Sequence, residues 1–298
     1  MISDCRCFYC IARAFERLLS RDSISPEAKD GFTRDMINLY AENWGKHNTP
    51  LFARKLHVLM RDHTGDRDPY ILEKKQYNDI ALGLFPEMKN LVKKSRDSFN
   101  TALRLSIAGN IIDFAISDNF DLHATIDRVL EAPFAIDHSE LLKSALGKAR
   151  SVLYLGDNAG EIVFDKLFIE TIAHSNLVYA VRGAPVINDA TVEDAEYVGM
   201  NEVARVVSNG FDAASTVLSE SSDEFRKLFY EADLIISKGQ GNLEGLIHMN
   251  DRRIFFLLMV KCNVVAEFLK VEKDSFVTFS ESGFTDKPEA RAEGNTIH

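Results

Sequence analysis

The stretch Val152-Leu153-Tyr154-Leu155-Gly156-Asp157-Asn158-Ala159-Gly160-Glu161 decides how the rest of the chain is read. Four consecutive apolar residues suit a strand buried on both faces. A polar turn bounded by glycines follows, and from Glu161 to about His174 apolar residues return at helical spacing. Strand, glycine turn and helix in that order open a βαβ unit. The alternation continues downstream, with strands expected over 177–181, 203–207, 234–236 and 254–260. Helices are expected over 191–198 and 223–231, and another is opened by Lys238-Gly239-Gln240-Gly241-Asn242. Residues 150–284 therefore read as a three-layer α/β/α domain with a mostly parallel sheet.

Upstream of residue 150 the pattern is helical. Ser25-Pro26-Glu27 is a helix start, combining a capping hydroxyl, a proline at the first helical position and an acid in the first turn. Phe32, Met36, Leu39 and Tyr40 then recur at helical spacing. Further helices are expected over 50–63, 69–83, 87–94, 97–117, 121–131 and 138–148, with Pro86 and Pro133 as breaks. The stretch 98–117 is apolar around most of its circumference, which suits a buried central helix. The expected organisation is multidomain, α and α/β: an all-helical domain over 1–149, the α/β/α domain over 150–284, and a loose polar tail over 285–298.

The 298 residues and a hydrophobic share of 46% allow a sizeable core. A formal net charge of −10 disfavours nucleic acid as a partner, because phosphate backbones need a concentrated positive footprint. No apolar run approaches the ~20 residues that cross a bilayer, and no signal peptide opens the chain. The expectation is a cytoplasmic protein with no membrane partner, for which a homo-oligomer is compatible.

In an open parallel sheet, ligands bind beyond the carboxyl ends of the strands. The polar loops 156–160, 182–191, 208–215 and 238–242 should converge there. Asp157 and Asn158 offer two oxygen donors on a sharp turn, and Asn188-Asp189-Ala190-Thr191 supplies a second carboxylate turn. Hard divalent cations take such donors, often with only one or two carboxylates. Asp157, Asn158 and Asp189 are the candidate metal ligands, although the same residue types also cap helices and form turns. The loop 238–242 exposes backbone N–H groups beside a lysine, which suits a phosphate without matching the Walker pattern. Asn110 and Asp113 lie one turn apart on the central helix, where they either face the rim or bond neighbouring helices.

Cys5, Cys7 and Cys10 crowd the start of the chain, and Cys262 stands alone far downstream. The C-x2-C pair reads either as part of a second, soft-metal thiolate site, completed by Cys262, or as free thiols.

The ordered set Gly109-Asn110-x-x-Asp113, Asp157-Asn158-Ala159-Gly160-Glu161, Arg182-Gly183 with Asn188-Asp189-Ala190-Thr191, and Lys238-Gly239-Gln240-Gly241-Asn242 resembles the damage-control phosphatases. That family was long catalogued as a domain of unknown function, and the N-terminal cysteines resemble its microbial subfamily with a C-x2-C element. The resemblance implies a metal-dependent phosphomonoester hydrolase acting on small phosphorylated metabolites, whether sugar phosphates or damaged phosphometabolites. It implies a divalent ion (manganese, nickel, cobalt or magnesium) on Asp157, Asn158 and Asp189. Candidate catalytic groups are then Asp157, Lys238, and Glu161 or Asp194 to orient or deprotonate a water. Candidate substrate contacts are Asn110, Asp113, Arg182, Lys238, Gly239, Gly241 and Asn242. One departure is Asp212-Ala213-Ala214-Ser215, where the family pattern has Pro-Gly at the two alanines.

Two other enzyme readings and one binding reading compete. A methyltransferase using S-adenosylmethionine wants a close-approach glycine inside the first loop and an acid ending the second strand, but Asp157-Asn158-Ala159 and Arg182 stand there. A phosphatase with an aspartate nucleophile wants a second acid two residues on, where Ala159 stands. A non-enzymatic, metal-dependent metabolite-binding protein is the third alternative.

Overall fold

The computed structural model describes residues 4–45, 49–109 and 122–284. Asn110, Asp113 and the tail from Thr285 lie outside them. Helices α1 (Cys5–Leu19), α2 (Pro26–Asn43) and α3 (Thr49–Thr64) form one group, and α4 (Ile71–Lys94), α5 (Ser98–Ala108) and α6 (Leu122–Glu131) a second. There follow β1 (Phe134–Asp137), α7 (Ser139–Leu146), β2 (Val152–Leu155), α8 (Glu161–Ile172), β3 (Leu177–Val181), α9 (Val192–Tyr197) and β4 (Arg205–Ser208). The chain continues through α10 (Asp223–Glu231), β5 (Leu234–Lys238), α11 (Gly239–Leu246), β6 (Ile254–Met259), α12 (Asn263–Leu269) and β7 (Phe276–Phe279).

The seven strands lie in the order β1-β7-β6-β5-β2-β3-β4, and only the β6–β7 pair is antiparallel. Strands β2, β3 and β4 run outward one way and β5 and β6 the other. The direction of winding reverses between β2 and β5, which opens a crevice at their carboxyl ends. Side chains on β2 alternate between two cores, as a strand buried on both faces requires. Val152 and Tyr154 join the core containing Leu103, Phe168 and Tyr179, under α4, α5 and α8, whereas Leu153 and Leu155 join Phe225, Phe256 and Phe279 on the other face. The central helix α5 is buried as its sequence requires, through Ala102, Leu103, Leu105, Ser106 and Ile107.

Helices α1–α3 close a third, separate core around Phe15, Phe32, Tyr40, Phe52, Leu56 and Met60. This group is held to the sheet domain partly by ion pairs. Arg54 and Arg61 of α3 share Asp212, and Arg6 of α1 pairs with Glu267 of α12 at 2.6 Å.

Four features depart from the sequence expectations. Helix α4 runs through Pro86 without ending, because Ala81, Met88 and Val92 on both sides of it are buried in the sheet-facing core, and that packing offsets the lost hydrogen bond. Strands β1 and β7 at the sheet edge were not expected. Phe134 to Asp137 is half-exposed in alternation and acquires strand structure by pairing with Phe276 to Thr278. The parallel strands start at residue 152, yet the sheet takes β1 from upstream of that point. Helices α1 and α12 were likewise not singled out.

Candidate active site

The backbone first brings the site together. Beyond β2, the carbonyl of Asp157 accepts from Ala190 N at 2.8 Å, and Ala159 N donates to the carbonyl of Asn188 at 2.8 Å. Arg182 N donates to the carbonyl of Ala190 at 3.0 Å, and Asn158 and Asp189 form an isolated antiparallel bridge. The loop after β3 is thus zipped along the loop after β2, so Asp157, Asn158 and Asp189 become neighbours although 32 positions separate the first and last. Gly239 lets the loop after β5 close in from the other side. Its φ is +75°, and a Cβ there would lie 1.9 Å from Asp157 Oδ2.

Arg182 is the hub of this cluster and is 2% exposed. Its Nε donates to Asp189 Oδ2 at 2.5 Å, Nη2 to Asp157 Oδ1 at 3.1 Å and Nη1 to Asn242 Oδ1 at 2.8 Å. The Asn158 amide nitrogen donates to Asp157 Oδ2 at 3.0 Å and to Glu161 Oε2 at 3.2 Å. Burial, followed by repulsion from Asp189, raises the Asp157 carboxyl to about 7 against the pull of Arg182 and Lys261. Burial likewise raises Glu161 to about 7, opposed by Lys238.

Lys238 does not face the loop rim as a free phosphate ligand. It is fully buried, and its ammonium donates to Glu161 Oε1 at 2.6 Å, to the Ser106 carbonyl at 2.9 Å and to Asp165. Asp165 also accepts from Ser106 Oγ at 2.9 Å, Tyr154 at 2.8 Å and Tyr179 at 2.9 Å. Both phenols are held well above their ordinary range by burial and by Asp165, so they remain donors.

The donor set fits a hard divalent cation. Among the described residues, the four buried acids Asp157, Glu161, Asp165 and Asp189 share the two closely bonded cations Arg182 and Lys238. The Asn158 amide stands between two acids with its N–H groups toward them, and a half-turn about its last bond offers its oxygen instead. No three His, Cys, Asp or Glu side chains among the described residues already converge as a ligand set. Arg182 holds one oxygen of Asp157 and one of Asp189.

Asp194 lies one layer out. It closes the capping box of α9 with Thr191, accepting from that residue's N at 3.0 Å and Oγ1 at 2.9 Å, and it binds Lys74 and Asn78 of α4 at 3.1 and 3.0 Å. Asn78 in turn accepts from Gly160 N at 2.7 Å, which ties α4 to the metal-candidate loop. Asn242 serves as a stitch between loops, donating to the carbonyls of Gly156 and Lys238 while accepting from Arg182 and Thr216. Gly241 packs under the carbonyl of Ala214, in the loop that departs from the family pattern.

Cys5, Cys7 and Cys10 lie on α1, and Cys262 caps α12. Cys10 is near enough to Cys262 that the latter, after burial, helps to raise its thiol, and Gln240 donates to Cys262 Sγ at 3.4 Å. Two of the four cysteines are thus drawn together, but no three of them form a cluster.

Sequence reasoning missed Asp165 and Lys261. The first had a signal: an acid inside Ile162-Val163-Phe164-Asp165-Lys166-Leu167-Phe168 sits in a helix buried nearly throughout, where it needs partners. The second stands two residues past β6, whose carboxyl end shares the rim with β5, and its charge bears on Asp157.

Comparison with known proteins agrees with this geometry. The chain is 35% identical over 279 residues to damage-control phosphatase PH1575 of Pyrococcus horikoshii, covering 91% of this chain and 95% of that one. It is 34% identical over 252 residues to a damage-control phosphatase of Archaeoglobus fulgidus, covering 82% and 86%. The crystal structure of the Pyrococcus horikoshii DUF89 family protein superposes with a TM-score of 0.85 at 31% identity, covering 94% of this chain and 99% of that one. The damage-control phosphatase ARMT1-like domain model matches residues 3–277, and with this sheet, this rim and these relatives the chain belongs to that family.

Proposed function

We propose that this chain is a phosphatase that holds a divalent cation (manganese, nickel, cobalt or magnesium) on Asp157, Asn158 and Asp189 and hydrolyses a small phosphorylated metabolite. The observation that carries the reading is the gathering of four buried acids about two cations where the loop after β3 is zipped along the loop after β2. When bound there, the cation supplies Lewis-acid polarisation of phosphoryl oxygens and acidifies its water. Arg182, bonded to one oxygen of each, fixes the two aspartates that would hold the ion.

Glu161 is favoured over Asp194 as the group that takes a proton from the attacking water. Its Oε1 is anchored by Lys238, its Oε2 lies beside the Asn158 amide, and burial raises its affinity for a proton toward neutral pH. Asp194 is already saturated by four donors. Lys261, at the rim, suits the charge of the substrate phosphate, and Lys238 acts beneath it by holding Glu161. The net charge of −10 supports a small metabolite over nucleic acid as substrate.

The test is an assay of metal-stripped protein against sugar phosphates and phosphorylated cofactors, restored with one divalent ion at a time. The expected outcome is no turnover in chelator and recovery with manganese, nickel, cobalt or magnesium. Full phosphatase activity in chelator overturns the reading.

A further inference from the structure

Beneath the rim, one helical turn beyond Glu161, a buried group is centred on Asp165. Asp165 is 0% exposed and accepts four hydrogen bonds, from Ser106, Tyr154, Tyr179 and Lys238. An ionised carboxylate is costly to bury, and here that cost is met by donors from α5, β2, β3 and β5 converging on one helix position. Such convergence suits a group whose charge must be kept.

The partner of that charge is Lys238, whose ammonium is divided between Asp165 and Glu161. If Asp165 were neutral, the full charge of Lys238 would fall on Glu161 and the loops above it. The rim acids Asp157, Asp189 and Glu161 would then lie over one more uncompensated positive charge.

We propose that Asp165 is a positioning residue for cation binding. Held by Ser106 and the two tyrosines, it absorbs the charge of Lys238, so that Lys238 fixes Glu161 in place without discharging the rim. This rests on the reading that a divalent cation binds at Asp157, Asn158 and Asp189. Tyr154 and Tyr179 act as fixed donors to Asp165, in the manner of a preorganised dipole environment.

The test is calorimetric titration of the metal-stripped full chain with manganese, with melting curves taken alongside. Asp165→Asn should weaken manganese binding by about tenfold or more, since one charge is removed in a low-dielectric region. The double variant Asp165→Asn with Lys238→Met removes one charge of each sign and should bind within about threefold of the parent. A merely structural role predicts the opposite order, with the double variant no better than the single. Parent-like binding by Asp165→Asn, or a double variant as weak as the single, overturns the inference. Should the single variant fail to fold, the double decides alone: a loss beyond about tenfold overturns the inference, and retention supports it. A parent protein that binds no manganese, nickel, cobalt or magnesium overturns the metal reading itself, an outcome distinct from a parent that binds and a variant that is unaffected.

Discussion

Asp189 and Asp194 stand five residues apart in one loop and helix start, and both are buried acids beside a basic side chain. Their surroundings differ in one respect. Asp194 receives two donors from its own helix cap and two from α4, so each of its oxygens is satisfied and it fastens α4 to the loop. Asp189 shares a single guanidinium with Asp157, and Glu161 lies close by on the far side of Asn158. One acid completes a structure, whereas the other belongs to a group in which, among the described residues, four buried acids share two closely bonded cations. The residue type is the same; the balance of partners separates a fastening from a site.

The strongest way to break this comparison is Asp157→Asn. It keeps the shape and removes a charge from the group, so kcat/KM should fall by about a thousandfold together with cation affinity, with partial rescue by excess metal. Calorimetry and steady-state assays read the two effects. Parent-like turnover would show that the gathered charge is not the functional feature.

Asp194→Asn is the matching probe of the other acid. Losing the Lys74 pair and weakening the capping box should cost about 1–3 kcal/mol in denaturant unfolding, with kcat/KM within about threefold of the parent. A collapse of turnover at unchanged stability would move Asp194 into the site and remove the contrast.

The smallest effect is a dependence on pH that sharpens the comparison. Asp157 and Glu161 are raised in the folded protein to about 7 from ordinary values of 3.8 and 4.5. Between those values the native state binds more protons than the unfolded one, so stability falls as pH rises through that window. The contribution is fully present below the ordinary values and is lost above about 7. Metal-free protein should therefore melt a few degrees higher at about pH 6 than at about pH 8, and saturating divalent ion should flatten the trend by keeping both acids ionised. A metal-free melting temperature that rises with pH over this range would contradict the assigned environment.

Much of the sheet domain was legible because its strands are short apolar runs bounded by glycine and polar turns. The segments 177–181 and 223–231 needed no adjustment at either end. The β1–β7 end of the sheet was not legible. Phe134-Ala135-Ile136 is a short apolar run set between helical segments, with no glycine turn to mark it, and it is a strand through its pairing with β7. Pro86 was read as a break because local chemistry counts the missing N–H, while the packing that carries α4 past it comes from a helix 75 residues further on.

The same division runs through the site. The sequence by itself determined which polar loops emerge together at the carboxyl edge, since they follow the strands of a parallel sheet, and it offered Asp157, Asn158, Glu161 and Asp189 as candidates by residue type. Only the tertiary structure decided what each charge is for. It turned Lys238 inward onto Glu161 and Asp165, committed Asp194 to α4, made Arg182 the link between two aspartates and set Lys261 beside Asp157. A charge is defined by its neighbours in space, and those neighbours come from α4, α5 and four different strand ends that no local pattern connects.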